Sequence, residues 1–227
     1  SILQGNAMLR RGNRVKEFED KFANYVGSQY AVGTNSCTAA LEIALRCSEI
    51  REGDEVIVPA ETFIATGSAV VREGGTPVFC DINPITFCIS LSELIKQVTS
   101  KTKAIMAVHI YGLMCDMSEI LRIAKHSKIK IIEDCAQCFL GQDDKKRIAG
   151  TVGDVGSWSL ESSKHISCSE GGIVTTNSKD YAKKIRKFGG LGFANITAKS
   201  GKVRISKDKF QNPEWKRHDN FGYNYRL

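Results

Sequence analysis

The sequence predicts an α/β protein in which a mostly parallel β-sheet carries helices on both faces. Short runs of β-branched and apolar residues alternate along the chain with segments whose apolar residues recur at helical spacing. The runs are apolar almost throughout, as expected for strands buried on both faces of a parallel sheet. A chain of 227 residues with 42% hydrophobic and 25% charged residues is sufficient for one sizeable globular core.

The elements of the first half follow from helical spacing and from turn residues. Val15, Phe18, Phe22 and Val26 recur at helical spacing and predict a helix that Gly27 closes. The next predicted elements are a strand at 30–33, a helix that begins at Ser36 or Thr38, a strand at 55–58 that Pro59 stops, a helix at 63–72, a strand at 77–80 and a helix at 91–98.

The same alternation continues through the second half. It predicts a strand at 104–110, a helix at 117–126 with Asp116 as its N-cap, a strand at 129–133, an apolar segment around Trp158 and Leu160, a strand at 173–176 and a helix at 180–188. Residues 199–218 are polar and lysine-rich, and we expect a loop or irregular segment there rather than a second domain. The glycines at 189, 190 and 192 follow a helix rather than a strand, which argues against a dinucleotide-binding loop.

Charge and hydropathy limit the classes of partner. The net charge of +7 is moderate and favours small anions. A nucleic-acid-binding surface would have to use basic residues that are more typical of a solvated loop, namely Lys199, Lys202, Arg204, Lys207 and Lys209. No apolar stretch reaches the length of a membrane span, and no signal-peptide pattern is present at the start. We therefore expect a cytoplasmic protein with neither a nucleic-acid nor a membrane partner.

The eight cysteines are scattered through apolar runs, so most are expected to be small buried side chains rather than disulfide partners. Cys135 and Cys138 form a C-x-x-C pair that is compatible with redox chemistry or with half of a zinc site. No second pair supplies the remaining ligands of a tetrahedral site. We favour a structural role and expect no metal.

Lys164 is the most informative residue, because a lysine is unusual between the apolar segment around Trp158 and the Gly171-Gly172 turn. A desolvated lysine loses its proton readily and can form a Schiff base with an aldehyde such as that of pyridoxal phosphate. A lone lysine in a loop is more often solvated. Its interpretation therefore depends on the polar groups around it.

Several of those groups lie where strands meet helices. Asp134 ends a strand, where it is either a partner for a protonated pyridine nitrogen or a helix N-cap. The 34–40 segment brings hydroxyls and backbone N–H groups to a helix N-terminus, which suits a phosphate or a simple cap, and Ser159 adds a hydroxyl. Phe63 is either a core residue or a ring that stacks on a flat cofactor.

Together these motifs resemble the sugar aminotransferases of the DegT/DnrJ/EryC1/StrS family, pyridoxal-phosphate enzymes of the aspartate aminotransferase fold (fold type I). The resemblance runs almost end to end. It rests on VKEFE (15–19), GTNSCTAAL (33–41), VHIYG (108–112), IEDCAQ (132–137), SWSLESSKH (157–165) and GYNYRL (222–227).

The resemblance implies a role for each site residue. Lys164 is implied as the lysine that links covalently to pyridoxal phosphate and then moves protons. Asp134 is implied to pair with the pyridine nitrogen, Gln137 to meet the ring hydroxyl and Phe63 to stack on the ring. The phosphate is implied to be held by Cys37, Thr38, Ser159 and, from a neighbouring subunit, Asn224, which implies a homodimer with a shared site.

The sequence departs from the family pattern near the lysine. Ser169 stands where a glycine is expected, and Leu160-Glu161 replaces an aromatic and a neutral residue. We expect both changes to alter the loop near Lys164 without removing a catalytic group. We also expect residues 1–227 to form the cofactor-binding large domain, truncated at both ends and without the family's small C-terminal domain.

The implied activity is transfer of an amino group from an amino acid, with glutamate favoured, to a keto group on a nucleotide-linked deoxysugar, as in polysaccharide and deoxyamino-sugar biosynthesis. One alternative is a sugar dehydratase, in which histidine replaces the lysine; His165 is adjacent, but the spacing from Ser159 selects Lys164. The other alternative is a non-catalytic partner or regulatory subunit that only holds the cofactor.

Overall fold

The computed structural model describes residues 13–201 and 205–227, so Lys202 and Arg204 lie outside the described residues. The helices and strands in chain order are α1 (Asn13–Val26), β1 (Tyr30–Thr34), α2 (Cys37–Cys47), β2 (Glu55–Pro59), α3 (Ile64–Arg72), β3 (Thr76–Cys80), α4 (Leu91–Gln97), β4 (Thr102–Val108), a 3-10 turn (Ile110–Gly112), α5 (Met117–Ser127), β5 (Lys130–Asp134), β6 (Val155–Ser159), β7 (Gly172–Thr176), α6 (Lys179–Phe188) and α7 (Lys207–Gln211).

The strands form one seven-stranded sheet in the order β1-β7-β6-β5-β4-β2-β3. Only β7 is antiparallel to its neighbours β1 and β6 within this sheet, and the other pairings are parallel. The predicted mostly parallel sheet is therefore confirmed. The carboxyl ends of β4, β5 and β6 lie side by side, which is where α/β proteins place ligands.

Alternate residues of the central strands enter different cores, so both faces of the sheet are covered. Val56 and Val58 of β2 pack in the core that contains α2, whereas Ile57 packs in the core that contains α5. A third cluster joins α1 to β6, where the Phe22 ring meets Trp158 edge-on at 5.4 Å between centroids. Helices on both faces are thus confirmed, as predicted.

The predicted elements are confirmed to within about two residues, with two instructive differences. β4 ends at Val108 rather than at 110, because the buried His109 is followed by a tight turn in which Tyr111 has a φ of 51°. The polar 199–218 segment contains the short helix α7, which Ser206 caps by accepting a hydrogen bond from the Lys209 N–H.

Six of the eight cysteines are buried, as expected; Cys37 is half-buried and Cys168 is exposed. Cys135 and Cys138 are both buried. Across residues 13–201 and 205–227, no group of three or more histidine, cysteine or carboxylate side chains is arranged to hold a metal ion. No helix in the described part of the chain has the length and apolar character needed to cross a membrane.

Candidate active site

A cleft of about 380 Å³ opens at the carboxyl ends of β5 and β6, facing the start of α2. It brings together seven of the predicted site residues: Cys37, Thr38, Phe63, Asp134, Gln137, Ser159 and Lys164. Asn224 is not among the residues that line this cleft. It forms a β-bridge with Gly190, and its Oδ1 accepts hydrogen bonds from the Arg226 guanidinium.

Asp134 ends β5 and is only 4% exposed. Its Oδ1 accepts the Ala136 N–H at 3.1 Å, and its Oδ2 accepts the Thr66 hydroxyl at 2.9 Å. Burial raises the pKa of Asp134 above its ordinary value, although these two hydrogen bonds and the nearby His109 and Lys164 act in the opposite direction. The charged form of this carboxylate would be stabilised further by a cation in the cleft.

The β1–α2 turn forms one wall of the cleft. Ser36 caps α2 by accepting the Ala39 N–H at 3.1 Å, so Cys37 and Thr38 are the first two helical residues. Their N–H groups lie at the positive end of the helix dipole. Burial raises the pKa of the Cys37 thiol well above its usual range, and the charge of Asp134 raises it further. Cys37 is therefore a neutral hydrogen-bonding group at neutral pH.

Gly172 lets β7 approach this turn closely. A Cβ at position 172 would lie 2.4 Å from the Ser36 carbonyl oxygen and 2.7 Å from the Cys37 nitrogen. Such distances are well inside van der Waals contact. The shape of the turn therefore depends on the absence of a side chain at position 172.

Lys164 is half-buried and lines the cleft from the loop that follows β6. Its backbone N–H donates to the Glu161 carbonyl at 3.0 Å, which forms a turn within the loop. The neighbouring His165 is exposed, and its ring stacks on Phe139 at 6.4 Å between centroids. Of these two neighbours, the lysine is the one that lines the cleft with Asp134.

Glu161 also lines the cleft, although the sequence indicated it only as a departure from the family pattern. Hydrogen bonds from the Ser162 and Ser163 hydroxyls and from the Ser163 N–H lower the pKa of Glu161 to about 2. Ser169, the other departure, has a φ of 74°, a left-handed conformation that glycine adopts more easily. The positive φ at position 169 therefore explains why a glycine is expected there.

Gln137 is oriented by the turn that follows β4. Its Oε1 accepts the Tyr111 N–H at 3.2 Å, and the Tyr111 hydroxyl donates to Glu61 at 3.1 Å. With the oxygen occupied, the Gln137 amide nitrogen remains the donor for other partners.

Phe63 is 67% exposed at the N-terminus of α3. The alternative interpretation of Phe63 as a core residue is therefore wrong. The role of Thr66 was not predicted, although it lies three residues after Phe63, a spacing that places both on one side of a helix. That spacing was the available signal.

A family model described as the DegT/DnrJ/EryC1/StrS aminotransferase family matches residues 1–227. GDP-perosamine synthase of Escherichia coli O157:H7 is 40% identical over 96% of this chain and 55% of its own length. Two solved structures are also similar. The aminotransferase from Psychrobacter cryohalolentis has a TM-score of 0.86 at 36% identity, covering 95% of this chain and 53% of that one. NtdA of Bacillus subtilis, solved with bound PMP, has a TM-score of 0.78 at 34% identity, covering 94% and 44%.

The chain thus spans about half the length of these relatives. Their structural similarity, together with the mostly parallel seven-stranded sheet, identifies the fold as that of the fold type I aminotransferase large domain. The expected resemblance and fold class are both confirmed.

Proposed function

Because the chain belongs to the DegT/DnrJ/EryC1/StrS aminotransferase family, we propose that it forms the cofactor-binding large domain of a pyridoxal-phosphate-dependent sugar aminotransferase. One observation carries the proposal: Lys164, Asp134 and the N-terminus of α2 line the same cleft. An amine, a buried carboxylate and a helix N-terminus are the three groups that the aldehyde, the pyridine nitrogen and the phosphate of this cofactor require.

The residues present suit the cofactor chemically. Asp134 is a buried carboxylate whose ionisation is opposed by burial, and a protonated pyridine nitrogen would compensate that charge. Cys37, Thr38 and Ser159 offer neutral hydrogen-bonding groups beside a helix N-terminus, as a phosphate needs. When bound, pyridoxal phosphate supplies an aldehyde for the lysine and a ring that accepts electrons from the reacting carbon.

Each remaining role belongs to a residue of the chain. The Lys164 amine would hold the cofactor and then carry a proton to and from the substrate carbon. Gln137 would donate its amide N–H to the ring hydroxyl, and Phe63 would cover one face of the ring. Asn224 does not line the cleft of its own chain, and in line with the family resemblance we assign it to the phosphate of a second subunit, in a homodimer with shared sites.

The proposed substrates are an amino-acid donor, with glutamate favoured, and a nucleotide-linked keto-deoxysugar. The name GDP-perosamine synthase, carried by a relative that is 40% identical, supports a nucleotide-sugar acceptor. The position of Lys164 in the cleft favours amino transfer over the dehydratase alternative, since only the lysine amine can form the covalent linkage. A non-catalytic subunit would hold the cofactor but would not exchange an amino group with glutamate.

The test is spectroscopic. The purified protein is incubated with pyridoxal phosphate and dialysed, and its visible absorbance is recorded before and after glutamate is added. We expect a band that glutamate bleaches and that Lys164→Ala abolishes, while Lys96→Ala on α4 serves as the matched control and keeps it. A protein without the band would refute the proposal, and a band that glutamate leaves unchanged would support a non-catalytic subunit. Nucleotide keto-sugars that restore the band then identify the acceptor.

A further inference from the structure

Two threonines four positions apart, Thr62 before α3 and Thr66 in its first turn, connect to the Asp134 carboxylate. The Thr66 hydroxyl lies 2.9 Å from Asp134 Oδ2, and the hydroxyls of Thr62 and Thr66 lie 2.7 Å apart. A threonine hydroxyl carries one hydrogen, and an ionised carboxylate can only accept. Thr66 therefore donates to Asp134 and accepts from Thr62, so the chain of hydroxyls has a defined direction that ends on the carboxylate.

Thr66 is fully buried, so water does not replace its hydroxyl. The Ala136 N–H occupies the other oxygen of Asp134, and the two donors together fix the plane of the carboxylate. The charged and titratable groups that face Asp134 from other elements are Lys164 after β6, His109 after β4 and Cys37 at the start of α2. Thr66 is a neutral donor among these groups, and its hydrogen bond favours the ionised carboxylate.

The first turn of α3 links this hydroxyl chain to the exposed ring of Phe63. The Thr66 N–H donates to the Phe63 carbonyl at 3.1 Å, so the two residues belong to one hydrogen-bonded turn. The segment that presents Phe63 to the cleft is the same segment that orients Asp134.

We propose that Thr66 is a positioning residue that holds Asp134 ionised and aimed into the cleft, and that Thr62 orients the Thr66 hydroxyl. This inference rests on the proposed function, because it assigns Asp134 to a cationic ring nitrogen. Nothing in it requires Thr66 to touch the cofactor.

The test compares Thr66→Val, which removes the hydroxyl at nearly constant volume, with Thr66→Ser, which retains it. The first readout is the titration of the Asp134 carboxyl in cofactor-free protein, followed by ¹³C NMR and assigned with Asp134→Asn. The second is the Kd for pyridoxal phosphate. We expect Thr66→Val to move the Asp134 titration to higher pH and to weaken cofactor binding about ten-fold, as for loss of a hydrogen bond to a charged group. Thr66→Ser should restore both, and Thr62→Val should produce a smaller shift in the same direction.

The control is Thr176→Val, which removes another buried threonine hydroxyl. This hydroxyl donates to the Asp154 carbonyl, and Thr176 lies at the end of β7 opposite to Gly172 and the cleft. It should leave the Asp134 titration unchanged. An unchanged titration in both Thr66→Val and Thr62→Val, or a folded Thr66→Ser that behaves like Thr66→Val, would overturn the inference. Failure of the wild-type protein to bind pyridoxal phosphate would refute the proposed function instead, while the carboxyl titration would still report on Thr66. If Thr66→Val does not fold, the Thr66→Ser and Thr62→Val titrations decide.

Discussion

The imidazole of His109 and the carboxylate of Glu133 form a fully buried hydrogen-bonded pair, with Nε2 and Oε2 2.9 Å apart. His109 Nδ1 accepts the Cys115 N–H at 3.1 Å, so Nε2 carries the proton and donates to Glu133. Glu133 also accepts backbone N–H donors from the loop before β6: Gly150, Val152 and Gly153. The pair therefore fixes this loop and the end of β4 against β5, next to Asp134.

We expect Glu133→Gln to destabilise the protein by about 1–3 kcal/mol, the cost of leaving buried hydrogen-bonding groups unsatisfied. The glutamine NH2 would place a donor where the native oxygen accepts two N–H groups. Urea unfolding followed by circular dichroism measures the loss. Glu119→Gln, which removes an exposed pair with Arg122, is the matched control and should change stability by less than about 1 kcal/mol.

The same pair predicts a pH dependence of stability. Burial alone would raise the pKa of Glu133, but the hydrogen bond from His109 and those from the backbone donors hold it below its ordinary value. A carboxylate of this kind stabilises the fold above its unfolded pKa of about 4.3, and the stabilisation is lost as the pH falls through the lower folded pKa. Acidification below about pH 4.3 should therefore cost the wild type more stability than Glu133→Gln. Equal losses would contradict this account of the pair.

Gly172→Ala should distort the β1–α2 turn, because its Cβ would lie 2.4 Å from the Ser36 carbonyl oxygen. We expect a loss of about 1–3 kcal/mol in stability, as for overpacking, and a several-fold weaker affinity for pyridoxal phosphate. Gly67→Ala is the control, since a Cβ there would meet only the Phe79 ring at 3.7 Å. Unchanged cofactor affinity in Gly172→Ala would separate this turn from phosphate binding.

The parts of the site that could be predicted are those that depend on short stretches of sequence. Asp134 could be predicted because strand ends have a local signature and a known position in α/β folds, and Ser159 because it lies five residues before Lys164. Thr66 pairs with Asp134 across 68 positions, and its spacing from Phe63 indicates only a side of α3, not this long-range partner. Glu19 shows that prediction of the core has the same limit. Helical spacing predicts that Val15 and Phe18 face the core, yet the structure also buries Glu19. Glu19 can be buried because the Arg186 guanidinium donates two hydrogen bonds to it, of 3.1 and 2.7 Å.

Cys88 should be the most readily deprotonated of the described thiols. The neighbouring Cys115 thiol lowers the pKa of Cys88 below its ordinary value, although burial opposes this. We expect iodoacetamide labelling of Cys88, followed by peptide mass spectrometry, to rise with a midpoint below the ordinary thiol value of about 8.5. Cys115→Ala should move the midpoint up towards the ordinary thiol value of about 8.5. A midpoint unaffected by Cys115→Ala would show that the Cys115 thiol does not lower the pKa of Cys88.

Phe63→Ala separates a role in the cleft from a role in stability. Because the ring is 67% exposed, its removal should change the free energy of unfolding by no more than about 0.5 kcal/mol. Loss of an aromatic face beside the cofactor should weaken pyridoxal phosphate binding several-fold, as measured by equilibrium dialysis of the dissociable cofactor. Phe79→Ala is the matched control, since that ring is 58% exposed and lies on β3 outside the cleft lining. Equal cofactor affinities in the two variants would contradict the stacking role of Phe63, whereas a selective loss in Phe63→Ala would support it.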